Sequence, residues 1–208
     1  YKKTLTAFRL GKIDVLIGTQ MIAKGLHFPN VTLVGIIYAD LSLHMPDFRA
    51  GERTFQLLTQ VAGRAGRGEV EGDVFVQSFT PFHAAIQYAR RHDYLGFYEQ
   101  EMEFRKDTEY PPTSRMAMIT LKGKNEEKLK MSGTHLKSVI EGIREEIKDL
   151  TLAGPSPAPL ERAENFFRYQ IMLKTKRMSQ LSRRLADIHQ STQLPEGVQT
   201  IIDIDPVS

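Results

Sequence analysis

Two periods take turns along the chain and predict its elements. Leu5, Phe8 and Leu10 lie on one side of a helix over residues 1–10. Asp14-Val15-Leu16-Ile17-Gly18-Thr19-Gln20 is a short continuous apolar run closed by a turn, the pattern of a parallel strand buried on both faces. A second such run covers residues 31–40, after the Phe28-Pro29-Asn30 turn. Helical spacing returns over residues 54–65, where Phe55, Leu58 and Ala62 share a face. Residues 72–79 predict a last strand for this part of the chain, and residues 83–91 a helix that closes it. Over residues 93–106, Tyr94, Phe97, Tyr98, Met102 and Phe104 are interleaved among carboxylates, which predicts a connecting helix packed back on its neighbours.

The period changes after Pro111-Pro112, and a domain boundary is expected there. Residues 116–121 alternate as a strand, and Leu129, Leu136, Ile140, Ile143 and Ile147 form a stripe on one long helix. A short strand near residues 150–153, a Pro-rich loop over 154–159 and a strand over 166–173 follow. Met178, Leu181, Leu185 and Ile188 then line a second helix, and residues 198–204 close as a strand. The expected class is α/β: a parallel sheet with helices over residues 1–92, an acidic connection over 93–114, and a smaller α+β domain over 115–208. The β-α-β-β-α-β order of that last domain is the split, ferredoxin-like arrangement.

Composition narrows the class of protein. With 208 residues, 41% hydrophobic and 25% charged, the chain can bury a core of ordinary size. No apolar run approaches the ~20 residues that cross a bilayer and no secretory signal pattern opens the chain, so no membrane partner and a cytoplasmic location are expected. The absence of cysteine excludes disulfides and cysteine-ligated zinc within these residues. Charge is uneven: residues 1–92 carry 11 basic and 7 acidic side chains, residues 93–114 carry 2 and 6, and residues 115–208 carry 15 and 12. The six histidines lack the i,i+4 pairing and carboxylate company of a metal site, so no metal-binding residue is expected.

The candidate chemistry begins at Gln60-Val61-Ala62-Gly63-Arg64-Ala65-Gly66-Arg67-Gly68, where Arg64 and Arg67 stand three residues apart as a helix runs into glycine. Guanidinium groups stay charged at working pH and offer a planar fork of donors, suited to the oxygens of a phosphoryl group in transfer. A solvated basic helix end, or a tract that touches nucleic acid without specificity, is the plainer reading. Ligand sites of parallel sheets form at the carboxyl ends of strands. Thr19, Gln20, Lys24 and Gly25 follow the first predicted strand and Asp40 the second. Neither Gly11-Lys12-Ile13 nor Gly123-Lys124-Asn125 completes a phosphate-binding G-x-x-x-x-G-K-[ST] loop, and no Asp-Glu pair closes a strand. In the last domain, Arg162, Arg168, Lys174, Lys176, Arg177, Arg183 and Arg184 face Glu164 alone over residues 162–184, with Phe166, Phe167 and Tyr169 interleaved. Such a segment suits single-stranded DNA or an acidic peptide tail, and Arg168, Lys174, Lys176 and Arg177 are its candidate contacts. Lys122, Lys124, Lys128 and Lys130 belong to a different edge.

Gln60, Gly63, Arg64, Gly66 and Arg67 match the Q-x-x-G-R-x-G-R pattern, and with the stations at Thr19 and Asp40 they resemble motifs V and VI of the second RecA-like lobe of superfamily-two helicases. Residues 18–31, Ala39-Asp40, 46–53, Tyr110-Pro111-Pro112, 154–159, Arg168-Tyr169-Gln170 and Asp203-Ile204-Asp205-Pro206 extend the likeness over the whole chain. There it resembles the PriA family of primosomal, replication-restart DNA helicases. The acid that many helicases place at the position of His27 is absent.

The resemblance implies an ATP-dependent DNA helicase in which Arg64 and Arg67 reach the β/γ-phosphates and Gln60 orients part of that network. It implies nucleotide contacts at Gly63, Gly66, Asp40 and Gly25, and coupling to DNA phosphates through Thr19, Gln20 and Lys24. ATP and Mg2+ would be held mainly by a first lobe, and Zn2+ by a cysteine-rich insertion, both expected upstream of these residues, so the chain alone is expected to hydrolyse nothing. Implied partners are forked and single-stranded DNA, primosome proteins and the acidic tail of single-strand DNA-binding protein, in the nucleoid of a bacterial cytoplasm. Two rivals stay open: another superfamily-two translocase of the branch-migration or repair-coupling kind, and a non-catalytic nucleic-acid-binding module.

Overall fold

The computed structural model describes residues 2–19, 31–63 and 72–206 of a mixed α/β chain. It divides into two units, residues 1–101 and 102–208, the division falling within one helix. The first unit holds α1 (Lys2–Arg9), β1 (Leu33–Ile36), a 3-10 turn (Leu41–His44), α2 (Ala50–Ala62), β2 (Asp73–Val76), α3 (Ala84–Arg90) and the start of α4 (Tyr94–Asp107). β1 and β2 pair in parallel, Leu33 opposite Asp73 and Ile36 opposite Val76. Two further bonds carry the pairing on: Gln77 N–H donates to the Ile36 carbonyl at 2.8 Å and Ala39 N–H to the Gln77 carbonyl at 2.9 Å.

Helical spacing decides what packs in this unit. Phe55 and Leu58 of α2 meet Ala85, Ile86 and Ala89 of α3, Phe97 of α4 and Ala39 in one core. The Phe55 and Phe97 rings lie parallel, centroids 4.3 Å apart. α2 starts at Ala50, four residues before its expected start, because Asp47 prepares its first turn: the carboxylate accepts from Arg49 N–H at 2.9 Å and pairs with Arg53 at 2.9 Å. An acid in that position also suits the helix dipole.

The strand expected over residues 14–20 is corrected. Its described part, to Thr19, is extended but joins no ladder, and Val15 and Ile17 are 71% and 90% exposed. A parallel strand needs a hydrogen-bonding neighbour and cover on both faces, and the described residues of this unit supply neither.

In the second unit the order is β3 (Arg115–Gly123), α5 (Glu126–Glu141), β4 (Thr151–Ala163), β5 (Phe166–Thr175), α6 (Met178–Ser191) and β6 (Gln199–Ile204). The strands form one sheet in the order β4-β5-β3-β6, every neighbouring pair antiparallel. Alternation assigns the faces. Ala117, Ile119 and Leu121 of β3 and Tyr169, Ile171 and Leu173 of β5 are buried with Leu129, Leu136 and Ile140 of α5 and Leu181, Leu185 and Ile188 of α6. Both helices therefore cover the same face. Thr120, Lys122, Arg168 and Gln170 stand on the other, half-exposed.

Two expectations change here. The long helix stops at Glu141, and residues 142–149 form turns that still deliver Ile143 and Ile147 to the core. The Pro-rich segment is no loop. β4 runs through it as the sheet's edge strand, with Ser156 opposite Gln170, Pro157 opposite Tyr169 and register shifts on either side. Prolines lack the ladder donor, and an edge strand is where a sheet tolerates that.

Candidate functional site

The carboxyl ends of the two parallel strands are joined by one side chain. Asp40, buried, follows β1 and accepts through Oδ2 from Phe79 N–H at 2.8 Å, Thr80 N–H at 2.9 Å and the Thr80 hydroxyl at 3.0 Å, all just beyond β2. Burial pushes its pKa up, but the Thr80 hydroxyl and backbone donors outweigh that, and the net direction is down, so the group is a carboxylate at neutral pH. Asp40 Oδ1 is buried and has no hydrogen-bond partner among the described residues. Thr80 could not be seen from sequence as this partner: 40 residues separate the two, and only the parallel pairing unites them.

α2 carries the next candidates. Its buried face is Ala50, Thr54, Phe55 and Leu58, and Arg53, Gln56 and Gln60 form the exposed stripe. Gln60 therefore points away from the core, and Gly63 ends the helix with its N–H on the Thr59 carbonyl at 3.1 Å. Thr19 is exposed. Gln20, Lys24, Gly25, Arg64, Gly66 and Arg67 lie outside the described residues.

The four candidate contacts of the second unit do not share a surface. Arg168 stands on the sheet face without helices, half-exposed. Lys174 shares that face but is engaged: Nζ donates to the Thr108 carbonyl at 2.5 Å and sits 4.5 Å from the Tyr110 ring centroid. Lys176 and Arg177 begin the α6 side. Asp149 accepts there from Lys176 N–H at 2.8 Å and the Thr175 hydroxyl at 3.1 Å, with Arg177 at 3.8 Å. Further along α6, Arg184 pairs with Glu146 at 2.9 Å and Asp187 at 3.4 Å. The basic run over 162–184 is thus dispersed over two faces and partly neutralised, because strand alternation and the turn into α6 aim its members apart. Among the described residues no group of His, Asp and Glu could hold a metal ion, and no helix is long and apolar enough to cross a membrane.

Two family models match the chain: the helicase conserved C-terminal domain over residues 2–69, and the primosomal protein N C-terminal domain over residues 106–207. Replication restart protein PriA of Bacillus subtilis (strain 168) is 45% identical over 99% of this chain and 26% of its own length. The protein of the same name from Chlamydia muridarum is 38% identical over 97% of this chain and 26% of its own. That of Synechocystis sp. is 37% identical over 100% and 24%. The chain therefore spans about a quarter of the length of the curated relatives it matches.

Proposed function

The chain belongs to the family of the replication restart protein PriA, and from that premise we propose that it supplies part of the second RecA-like lobe of an ATP-dependent DNA helicase, followed by a DNA- and partner-binding domain of split, ferredoxin-like order. The observation that carries this reading is the identity over nearly the whole chain together with the placement of its motif: Gln60 and Gly63 stand at the exposed end of α2, with Arg64, Gly66 and Arg67 next in sequence. The sheet order β4-β5-β3-β6 supports the split arrangement of the second unit.

The residues fit a nucleotide at the strand ends. Asp40 Oδ1 is an orphaned buried acceptor at the end of the sheet where ligands of parallel sheets bind. Bound ATP with Mg2+ supplies the scissile phosphoanhydride, and the loop that holds it belongs to a part of the family's length that this chain does not span. Arg64 and Arg67 present fixed charge to the phosphate oxygens, Gln60 orients that network, and Gly63, Gly66 and Gly25 allow close backbone approach. Thr19, Gln20 and Lys24 couple the site to DNA phosphates. Large exposed apolar side chains beside the two-stranded sheet, Val15, Ile17, Ile37 and Phe75, support completion of this lobe by further chain. The Zn2+ of the complete protein lies outside these residues. Forked and single-stranded DNA, primosome proteins and the acidic tail of single-strand DNA-binding protein are its partners, in the bacterial cytoplasm at the nucleoid.

Arg67→Ala in the complete protein tests the reading. DNA-stimulated ATP turnover should fall by roughly 10³-fold or more with little change in nucleotide binding, and Arg67→Lys should not rescue it. Near-normal turnover would overturn the assignment, as would DNA-dependent ATP hydrolysis by the 208-residue chain alone.

A further inference from the structure

The sheet face of the second unit that neither helix covers holds a group of cations whose arrangement costs stability. Lys122 of β3 stands directly opposite Arg168 of β5, and on its other side opposite Gln199 of β6. Like charges at facing positions of an antiparallel pair repel, and sequences ordinarily set an opposite charge there. Lys124 adds a third cation. Lys122 Nζ lies 4.3 Å and Lys124 Nζ 5.5 Å from the ring centroid of Phe166, which is half-exposed on the same face as Arg168.

Elsewhere in this unit cations are given partners: Lys130 has Glu126, Arg115 has Asp205, Arg177 has Asp149 and Arg184 has Glu146. Lys122, Lys124 and Arg168 form no ion pair among the described residues. Glu164, in the turn ahead of Phe166, does not pair with them either. Asp203 shares the face but stands opposite Met118, about 13 Å along the strand from Lys122. An opposed, unneutralised pair beside an aromatic ring lacks an anion.

We propose that Lys122, Lys124, Arg168 and Phe166 form a binding site for single-stranded DNA, with a phosphate between the opposed cations and a base on the Phe166 ring. The site rests on the reading that this chain acts on DNA and goes beyond it by locating a contact, two of whose cations come from β3 rather than from the basic run over residues 162–184. Single strands fit better than an acidic peptide because the ring is at the centre of the cluster: a flat sheet with a half-exposed aromatic offers a stacking surface that carboxylates do not use. The lysines are held over the ring by a cation–π contact, weak at an exposed site, and an incoming phosphate draws them off as the base takes the ring.

Lys122→Glu separates binding from folding. It places an acid opposite Arg168, relieving the repulsion, so the melting temperature should rise or hold while the anion site is lost. In the full 208-residue chain, fluorescence anisotropy with a labelled oligo-deoxythymidine should show binding weakened at least about tenfold, and the slope of log affinity against log salt reduced by about 1.4, two contacts at about 0.7 each. Phe166→Ala should weaken binding about tenfold with the salt slope kept, as loss of stacking requires. Lys148→Glu, the same charge change at an exposed residue between α5 and β4, should bind as the parent does. Equal losses in Lys148→Glu and Lys122→Glu would overturn the site in favour of net charge, and unchanged binding by Lys122→Glu would overturn it while leaving the DNA reading intact. Loss of polyglutamate binding with oligonucleotide binding retained would assign the surface to an acidic peptide. A parent chain that binds no oligonucleotide would sink the DNA reading for these residues and the site with it.

Discussion

His83 caps α3 with an acceptor that a proton can remove. Its Nδ1 accepts from Ala85 N–H at 3.2 Å, one of the donors that a helix start leaves over. Burial holds the imidazole below its ordinary 6.5, and the charge of Glu101 opposes that without reversing it. The unfolded chain therefore binds the proton first as pH falls, so the cap contributes fully above about pH 6.5 and its contribution is lost as pH drops through the lower folded value. A protonated ring also sets positive charge at the positive end of the helix dipole. Losing an N-cap acceptor costs about 1 kcal/mol, which in a unit of about a hundred residues is a fall of about 4–8 °C in Tm. Calorimetry at about pH 8 should show that loss in His83→Ala, and at about pH 5 the gap to the parent should close because the parent has surrendered its acceptor too. His83→Asn keeps an acceptor that does not titrate, and should match the parent at high pH and exceed it at low pH. Refutation would be an Asn variant no better than Ala at high pH, or an Ala variant that keeps the parent's pH slope.

Phe97→Ala removes a buried ring stacked on Phe55 and should destabilise the first unit by about 3–5 kcal/mol in urea unfolding, with Phe97→Leu losing less than half as much because volume is kept. Equal losses would show that the stack is not what holds α4 to α2. Asp149 is pulled up by burial but more strongly down by the Lys176 N–H, the Thr175 hydroxyl and Arg177, so its contribution stands above its ordinary 3.8 and disappears as pH falls through the lower folded value. Acid unfolding of Asp149→Asn should lack that part of the pH dependence, and a variant that titrates like the parent would remove Asp149 as the clasp of the β5–α6 turn.

Where a residue's own spacing decided its fate, the sequence was readable. The alternation of residues 116–121 and 166–173 gave strands with the expected faces, and Leu129, Leu136 and Ile140 lie on one buried helical stripe. Periodicity could not find the end of that helix, because the turns over 142–149 keep the three- and four-residue steps that bring Ile143 and Ile147 inward. Nor could it show that the run at residues 14–19 finds no ladder neighbour among the described residues, since pairing is a property of two segments and not of one. The candidate site followed the same division. Gln60 could be assigned to an exposed helix face from spacing alone, but Asp40 with Thr80, and Lys122 opposite Arg168, are contacts across 40 and 46 residues that only strand register creates. Sequence reading put Lys122 and Lys124 on an edge apart from the basic segment, whereas the sheet sets them beside Phe166.

The prolines of β4 bear on how this protein behaves in company. A strand from another molecule could extend the sheet only by drawing on donors along its free edge, and Pro155, Pro157 and Pro159 withhold them at every second residue while the shifted register bends the template out of line. Growth of the sheet into a shared, intermolecular ladder is blocked on that side at all concentrations, without a charged gatekeeper and without a covering helix. The same three residues that look from the sequence like a break in structure thereby protect it against self-association.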